Sequence, residues 1–185
     1  VLINGASGGV GTFAVQIAKS MGAEVTAVCS TRNVELVRSL GADHVVDYTR
    51  DDYTGVDARY DVILDNVGNR SLSENRRVLE PDGRYVLIGG GGPAAGKWIG
   101  PMVKPLQALV TSPFVSQDMG MFLATLTRED MQRLAELMSS GAVTPVIDRR
   151  YALSEAAAAI RYLEQGRARG KVVVTMIWAT WSPAA

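Results

Sequence analysis

Gly5, Ser7, Gly8, Gly9 and Gly11 crowd together where an apolar run, Val1-Leu2-Ile3, comes to an end. Backbone with so few side chains leaves its N–H groups open to an anion such as a phosphate. The residues that follow read as an amphipathic helix, with Val10, Phe13, Ala14, Ile17, Ala18 and Met21 recurring at spacings of three and four and Gly22 supplying a stop. Strand, turn and helix together make a cradle for a dinucleotide pyrophosphate, built from Ser7, Gly8, Gly9, Val10 and Gly11. Gly8 has no Cβ to hold the anion away, Gly11 lets the helix lie close to the strand, and the first N–H groups of the helix face the charge. The plain alternative is an αβ turn that uses glycine for geometry alone.

Which dinucleotide is decided one strand later. Residues 24–29 read as a buried second strand, ending about 20 residues beyond the glycines, where NAD sites carry an acid for the ribose 2′-hydroxyl. No acid stands there; the chain continues Cys29-Ser30-Thr31-Arg32. The hydroxyls of Ser30 and Thr31 can donate to a 2′-phosphate and the Arg32 guanidinium can pair with it, which favours NADP(H). Ser30 or Thr31 also suits the cap of a helix over 32–40, and the two roles are compatible.

These residues have to be held by a sheet, and the rest of the chain alternates accordingly. Strands are expected at 44–48, 60–65 and 84–88, a Ser71/Glu74 capping box opens a helix running through Leu79, and Pro81-Asp82-Gly83 turns the chain into the fifth strand. The pattern loosens over 93–113 and reads as a loop with a short helix around 103–110. A sixth strand is expected at 120–124, then a helix capped by Thr127 and Asp130 that carries Met131, Leu134, Ala135, Leu137 and Met138 inward. A strand at 146–148, a helix over 154–164 closed by Gly166 and a strand at 171–175 complete the elements. Strands one, four and five are apolar on both alternations, as a sheet covered on both faces requires. The fold class is therefore α/β, a doubly wound, mostly parallel six-stranded Rossmann sheet. Trp178 and Trp181 lie in a charge-free tail to which no role is assigned.

Composition narrows the field. Nineteen basic and nineteen acidic residues cancel, so no overall field draws nucleic acid or an anionic membrane. No run reaches the roughly 18 apolar residues of a spanning helix, and a cytoplasmic protein is the default. Cys29 is the only cysteine and His44 the only histidine, so neither a disulfide within the chain nor a cysteine/histidine zinc site can be built. Cys29 reads as a small strand hydrophobe and His44 as a surface residue.

Taken together, the turn Ala6-Ser7-Gly8-Gly9-Val10-Gly11, the runs Leu40-Gly41-Ala42-Asp43 and Val46-Asp47-Tyr48, Asp65-Asn66-Val67-Gly68, Val86-Leu87-Ile88-Gly89-Gly90 and Ala168-Arg169-Gly170-Lys171-Val172-Val173 resemble the cofactor half of a medium-chain dehydrogenase/reductase. The branch is the zinc-independent, quinone-oxidoreductase-like one. The resemblance implies that Ser30, Arg32 and Tyr48 lie near the adenosine 2′-phosphate, with Arg167 or Arg169 as further candidates. It places Val67, Gly68, Ile88 and Gly89 near the nicotinamide ribose and ring, with Asn66 in the same cofactor-binding set. It implies an NADPH-dependent oxidoreductase passing hydride to a small carbonyl, enone or quinone, and a homodimer paired through the sixth strand. It divides the chain into a Rossmann domain over 1–142, a segment over 143–177 that returns to the substrate domain, and a tail over 178–185. The family's GroES-like substrate barrel has no counterpart in these residues, so a cofactor-binding portion with little turnover of its own is expected.

No catalytic acid or base is assigned. A short-chain dehydrogenase would need a tyrosine with lysine four residues on, yet Tyr48, Tyr53, Tyr60, Tyr85, Tyr151 and Tyr162 are followed at that spacing by Asp52, Asp57, Leu64, Gly89, Glu155 and Gly166. A module that senses NADPH without chemistry would carry the same sequence marks as the enzyme portion.

Overall fold

Short apolar strands flanked by helices bury both faces of one sheet. The computed structural model describes residues 1–88, 118–121, 125 and 127–176. The chain begins β1 (Leu2–Asn4), α1 (Gly11–Ser20), β2 (Thr26–Cys29), a 3-10 turn (Thr31–Asn33), α2 (Val34–Ser39) and β3 (His44–Asp47). There follow β4 (Tyr60–Asp65), α3 (Leu72–Arg77), β5 (Leu79–Leu87) and β6 (Asp118–Met121). The last elements are α4 (Arg128–Ser139), β7 (Ile147–Ala152), a 3-10 turn (Leu153–Glu155), α5 (Ala156–Glu164) and β8 (Lys171–Thr175).

Among the described residues, the main sheet has the order β3-β2-β1-β4-β5-β6, and every neighbouring pair is parallel. The strand order reverses between β1 and β4, so the C-terminal ends of these strands border a crevice. The strands β7 and β8 pair in parallel as a separate two-stranded sheet. The expected six-stranded α/β sheet is thus present, and this second pair adds to the strand count.

Alternation along each strand sorts the core onto two faces. Leu2, Val28, Ile63, Tyr85 and Leu87 pack on one face with Tyr53, Leu72 and Leu79. On the other, Ile3, Ala27 and Cys29 pack with Ala6, Val15 and Val37 from the helical side. That is the two-faced burial implied by the apolar strands.

Several elements depart from the sequence reading. In α1 the buried residues are Gly11, Thr12, Val15 and Gln16, while Met21 is 80% exposed and Val10 46% exposed. The reason is close approach at Gly11. A Cβ there would collide with the Gly5 carbonyl oxygen and lie 2.6 Å from Ala6 Cα, so this side of the helix lies against the turn that follows β1. Polar Thr12 and Gln16 tolerate burial because they are satisfied: the Gln16 amide donates to the Thr12 and Thr144 carbonyls at 2.8 and 3.0 Å and accepts from the Thr144 N–H at 2.8 Å. An apolar count has no means of finding a buried side that is half polar.

The turn expected before β5 lies inside it. Tyr60 pairs with Leu79 and Val62 with Arg84, so residues 80–83 bulge between two paired stretches. The helix α4 keeps its Thr127 cap on the Asp130 N–H, but it has no buried residue; Met131 is 54% exposed, and only Leu134 and Leu137 are half-buried. The expected inward stripe is thus narrower than its spacing suggested. The strand β7 runs on to Ala152 because Arg149 to Ala152 pair with Val172 to Thr175. The start of β6 falls at Asp118; residues 122–124, the 93–113 segment and the 178–185 tail lie outside the described residues.

Candidate functional site

Chain ends leaving β1, β2 and β4 meet in a cleft of about 540 Å³ at the switch point. Its floor is the turn after β1, where Ser7, Gly8, Gly9, Val10 and Gly11 all line the space. A Cβ on Gly8 would meet only the Gly5 carbonyl oxygen, at 3.4 Å, an ordinary contact. The fold therefore tolerates a side chain there, so packing alone does not call for glycine. The helix α1 opens at Val10 without any capping side chain and without an acid in its first turn. By contrast, the Ser71 hydroxyl accepts from the Glu74 N–H at the start of α3, and the Glu74 carboxylate accepts from the Ser71 N–H. The start of α1 thus has no side-chain acceptor, and its Thr12 and Phe13 N–H groups donate to the Gly8 and Val10 carbonyls at 3.0 and 3.1 Å.

Ser30, Arg32 and Tyr48 line the cleft where β2 ends. Thr31 is not part of the wall: its hydroxyl donates to Asp47 Oδ2 at 2.5 Å and lies 2.9 Å from the Thr49 hydroxyl. The Thr31 bond foremost, then bonds from the Thr49 hydroxyl and N–H, hold the Asp47 carboxyl below the usual carboxylate range. Ser30 occupies the cap position of the 3-10 turn but makes no side-chain cap bond. A second segment closes this end. Arg32 Nη2 donates to the Arg167 carbonyl at 2.9 Å, and the Gly170 N–H donates to the Ser7 carbonyl at 3.0 Å. Gly170, at φ 91, sits where a Cβ would collide with the Val146 backbone. Gly166 and Ala168 of this turn line the cleft, whereas Arg167 and Arg169 do not.

Asp65, fully buried, organises the other end. Its Oδ1 accepts from the Asn4 amide at 2.8 Å and from the N–H groups of Val67 and Gly68 at 3.0 and 2.8 Å. Its Oδ2 accepts from the Tyr85 hydroxyl at 2.8 Å. Burial first, then the Asp65 charge and this bond, push the Tyr85 phenol far up, so it remains a neutral donor. Asn4 also donates to Asn69 at 3.0 Å, and Asn66 donates to the Asn4 carbonyl at 3.0 Å. Asn66 and Val67 line the cleft, and Asn66 Oδ1 is buried without a partner, an acceptor suited to a ligand hydroxyl or amide. Gly68 and Ile88 do not line it: their N–H groups donate to Asp65, Gly68 to the carboxylate and Ile88 to the carbonyl at 2.9 Å. Gly89 lies outside the described residues.

Sequence reasoning missed Asn4, Gly5, Cys29, Asn33 and Asn69 on the wall. Gly5 stood in the glycine cluster and Asn4 left a signal as a polar residue ending an apolar run, whereas Asn33 and Asn69 left none. The Cys29 thiol is buried, and burial followed by the nearby Asp47 charge pushes it up to about 11, which denies it a nucleophile's role.

An uncapped helix behind a glycine turn, at the switch point of a sheet ordered 3-2-1-4-5-6, defines a Rossmann-type domain. Within that class the chain belongs to the zinc-binding dehydrogenase family, whose model matches residues 40–174, and to the quinone-oxidoreductase-like part of the medium-chain dehydrogenase/reductase superfamily. Similar proteins include the mouse mitochondrial NAD(P)H oxidoreductase RTN4IP1, 38% identical over 95% of this chain and 48% of its own. The chloroplastic quinone-oxidoreductase QR1 of Triphysaria versicolor is 33% identical over 94% of this chain and 51% of its own. The solved quinone oxidoreductase of Coxiella burnetii superposes with a TM-score of 0.78 at 27% identity, over 94% of this chain and 51% of that one. The chain spans about half the length of these relatives. Family membership removes the short-chain alternative.

Zinc, named in the family's description, does not fit this chain's donors. Cys29 is buried at a strand end, His44 is paired with Glu24 at 2.8 Å, and no other cysteine or histidine exists in the sequence. Among the described residues, no cluster of metal-binding side chains forms. Nor is any helix there long and apolar enough to cross a membrane.

Proposed function

We propose that this chain is the cofactor-binding portion of an NADPH-dependent oxidoreductase acting on a small carbonyl, enone or quinone. The observation that carries the reading is the cleft itself: a glycine turn and an uncapped helix start, continuous with Ser30 and Arg32 at the end of β2. The uncapped start of α1 and the N–H groups of Gly9, Val10 and Gly11 suit a pyrophosphate, that of Gly8 being given to the Gly5 carbonyl. Arg32, fixed by the Arg167 carbonyl, and the Ser30 hydroxyl suit a 2′-phosphate, with Tyr48 beside them. Asn66, with its unpartnered acceptor, and Val67 suit the nicotinamide riboside. A bound nicotinamide dinucleotide supplies the hydride. This chain's residues bind and orient it; none of them is assigned a proton-transfer role.

The names of relatives support the substrate class, which includes quinone and alkenal/one reductases. The segment over 143–177 is proposed to return to a substrate domain, with 1–142 as the Rossmann unit and 178–185 as a tail. Pairing of two copies through β6, an edge of the main sheet, and a cytoplasmic setting belong to the same proposal.

Retention on immobilised 2′,5′-ADP tests the reading. The chain is expected to bind and to be released by NADPH but not by equimolar NADH. Passage straight through the resin contradicts it.

A further inference from the structure

Asn33 closes the 3-10 turn behind Arg32 and is 4% exposed on the cleft wall. Its amide nitrogen donates to the Ser7 hydroxyl at 2.9 Å and to the Ser30 hydroxyl at 3.2 Å. A single side chain thus ties the glycine turn after β1 to the end of β2. Its Oδ1 is buried with no hydrogen-bond partner. An orphaned buried acceptor is costly, so stability of the fold is a poor account of this residue.

The chemistry of the two serines supplies a better one. A hydroxyl has one proton to give and lone pairs to accept with. Asn33 occupies the accepting side of both hydroxyls, which leaves both Oγ–H groups to point at an acceptor-only partner. A phosphate is such a partner. Resting on the NADP(H) reading above, we propose that Asn33 is a positioning residue for cofactor selectivity: its amide makes dedicated donors of Ser7, toward the pyrophosphate, and of Ser30, toward the 2′-phosphate. Selectivity at the end of β2 then depends on a residue that itself needs no contact with the phosphate. An aspartate of the same shape would reverse the arrangement. It would accept from both hydroxyls, draw their protons inward and add negative charge beside the 2′-phosphate site.

The test is the ratio of NADPH to NADH affinity, read by nicotinamide fluorescence titration, with thermal melting of each free variant as a check on folding. The unaltered chain is expected to prefer NADPH. Asn33→Asp and Asn33→Ala should each lose about tenfold of that preference. Ser30→Ala should lose a similar share, and the Ser30→Ala/Asn33→Ala pair little more than either alone, because both remove the same donor. Should an Asn33 variant fail to melt cooperatively, Ser30→Ala still reads the donor directly, and an unchanged preference there overturns the inference. So does a preference that survives both Asn33 substitutions, or losses that add in the double variant. A chain that shows no NADPH preference before any substitution overturns the NADP(H) reading itself, and this inference with it.

Discussion

Residues 1–88 and residues 127–176 solve burial differently. In the first, β1 and β2 are buried along their whole length, and Ile63, Leu79 and Val37 are sealed from solvent. In the second, Val143 and Ala159 are the only buried hydrophobic side chains among the described residues, while Ile160 is 58% and Leu163 49% exposed, with Leu153, Val174 and Met176 exposed as well. The first region builds its own core and, with it, the cleft. The second touches that cleft by one turn and otherwise offers apolar side chains outward, which fits a segment that packs on something besides the first region. The lesson is that cleft and core are one structure in the first region, whereas the second region buries little of its apolar surface among the described residues.

The largest effect is expected where core and cleft coincide. Asp65→Ala strands the Asn4 amide, two N–H groups and the Tyr85 hydroxyl at once, and should cost about 4 kcal/mol in urea unfolding. A cost under about 1 kcal/mol would separate the cleft's frame from the core. Next comes a matched pair. Ile63→Ala should cost about 3 kcal/mol, whereas Ile160→Ala should stay within about 0.5 kcal/mol. Equal costs would break the contrast between the regions. Arg32→Ala, at the cleft's rim, should lower NADPH affinity about tenfold and leave NADH affinity and unfolding nearly unchanged.

The smallest effect concerns Asp43. A hydrogen bond from Lys19, then one from the Val25 N–H, holds its carboxyl below the ordinary range. A depressed folded value means that its contribution is present above the unfolded value of about 3.9 and is lost as pH falls through the folded one. Asp43→Asn should therefore narrow the gap in urea midpoint between pH 6 and pH 3. An unchanged gap would show that the pair contributes nothing.

The contrast between regions also marks what the sequence made legible. The continuously apolar first strand, the glycine turn and the Ser71/Glu74 and Thr127/Asp130 caps are local signals, and each stands where its pattern placed it. The buried side of α1 was not legible, since Gln16 is satisfied by Thr144, far along the chain, while the Thr12 hydroxyl donates one turn back to the Gly8 carbonyl. Asn33 and Asn69 join the cleft through contacts with Ser7 and Asn4, tens of residues away. Thr31 suited a phosphate by type, yet Asp47 of the neighbouring strand takes its hydroxyl. Elements followed local chemistry, and the site's supporting residues depended on which strand ends the topology brings together.

Calorimetric titration of the unaltered chain with NADPH, and in parallel with NADH, bears most directly on the claim that this cleft holds an NADP(H) dinucleotide. Saturable 1:1 binding with NADPH at least about tenfold tighter than NADH is the expected result. Binding of neither, or a preference for NADH, would contradict it.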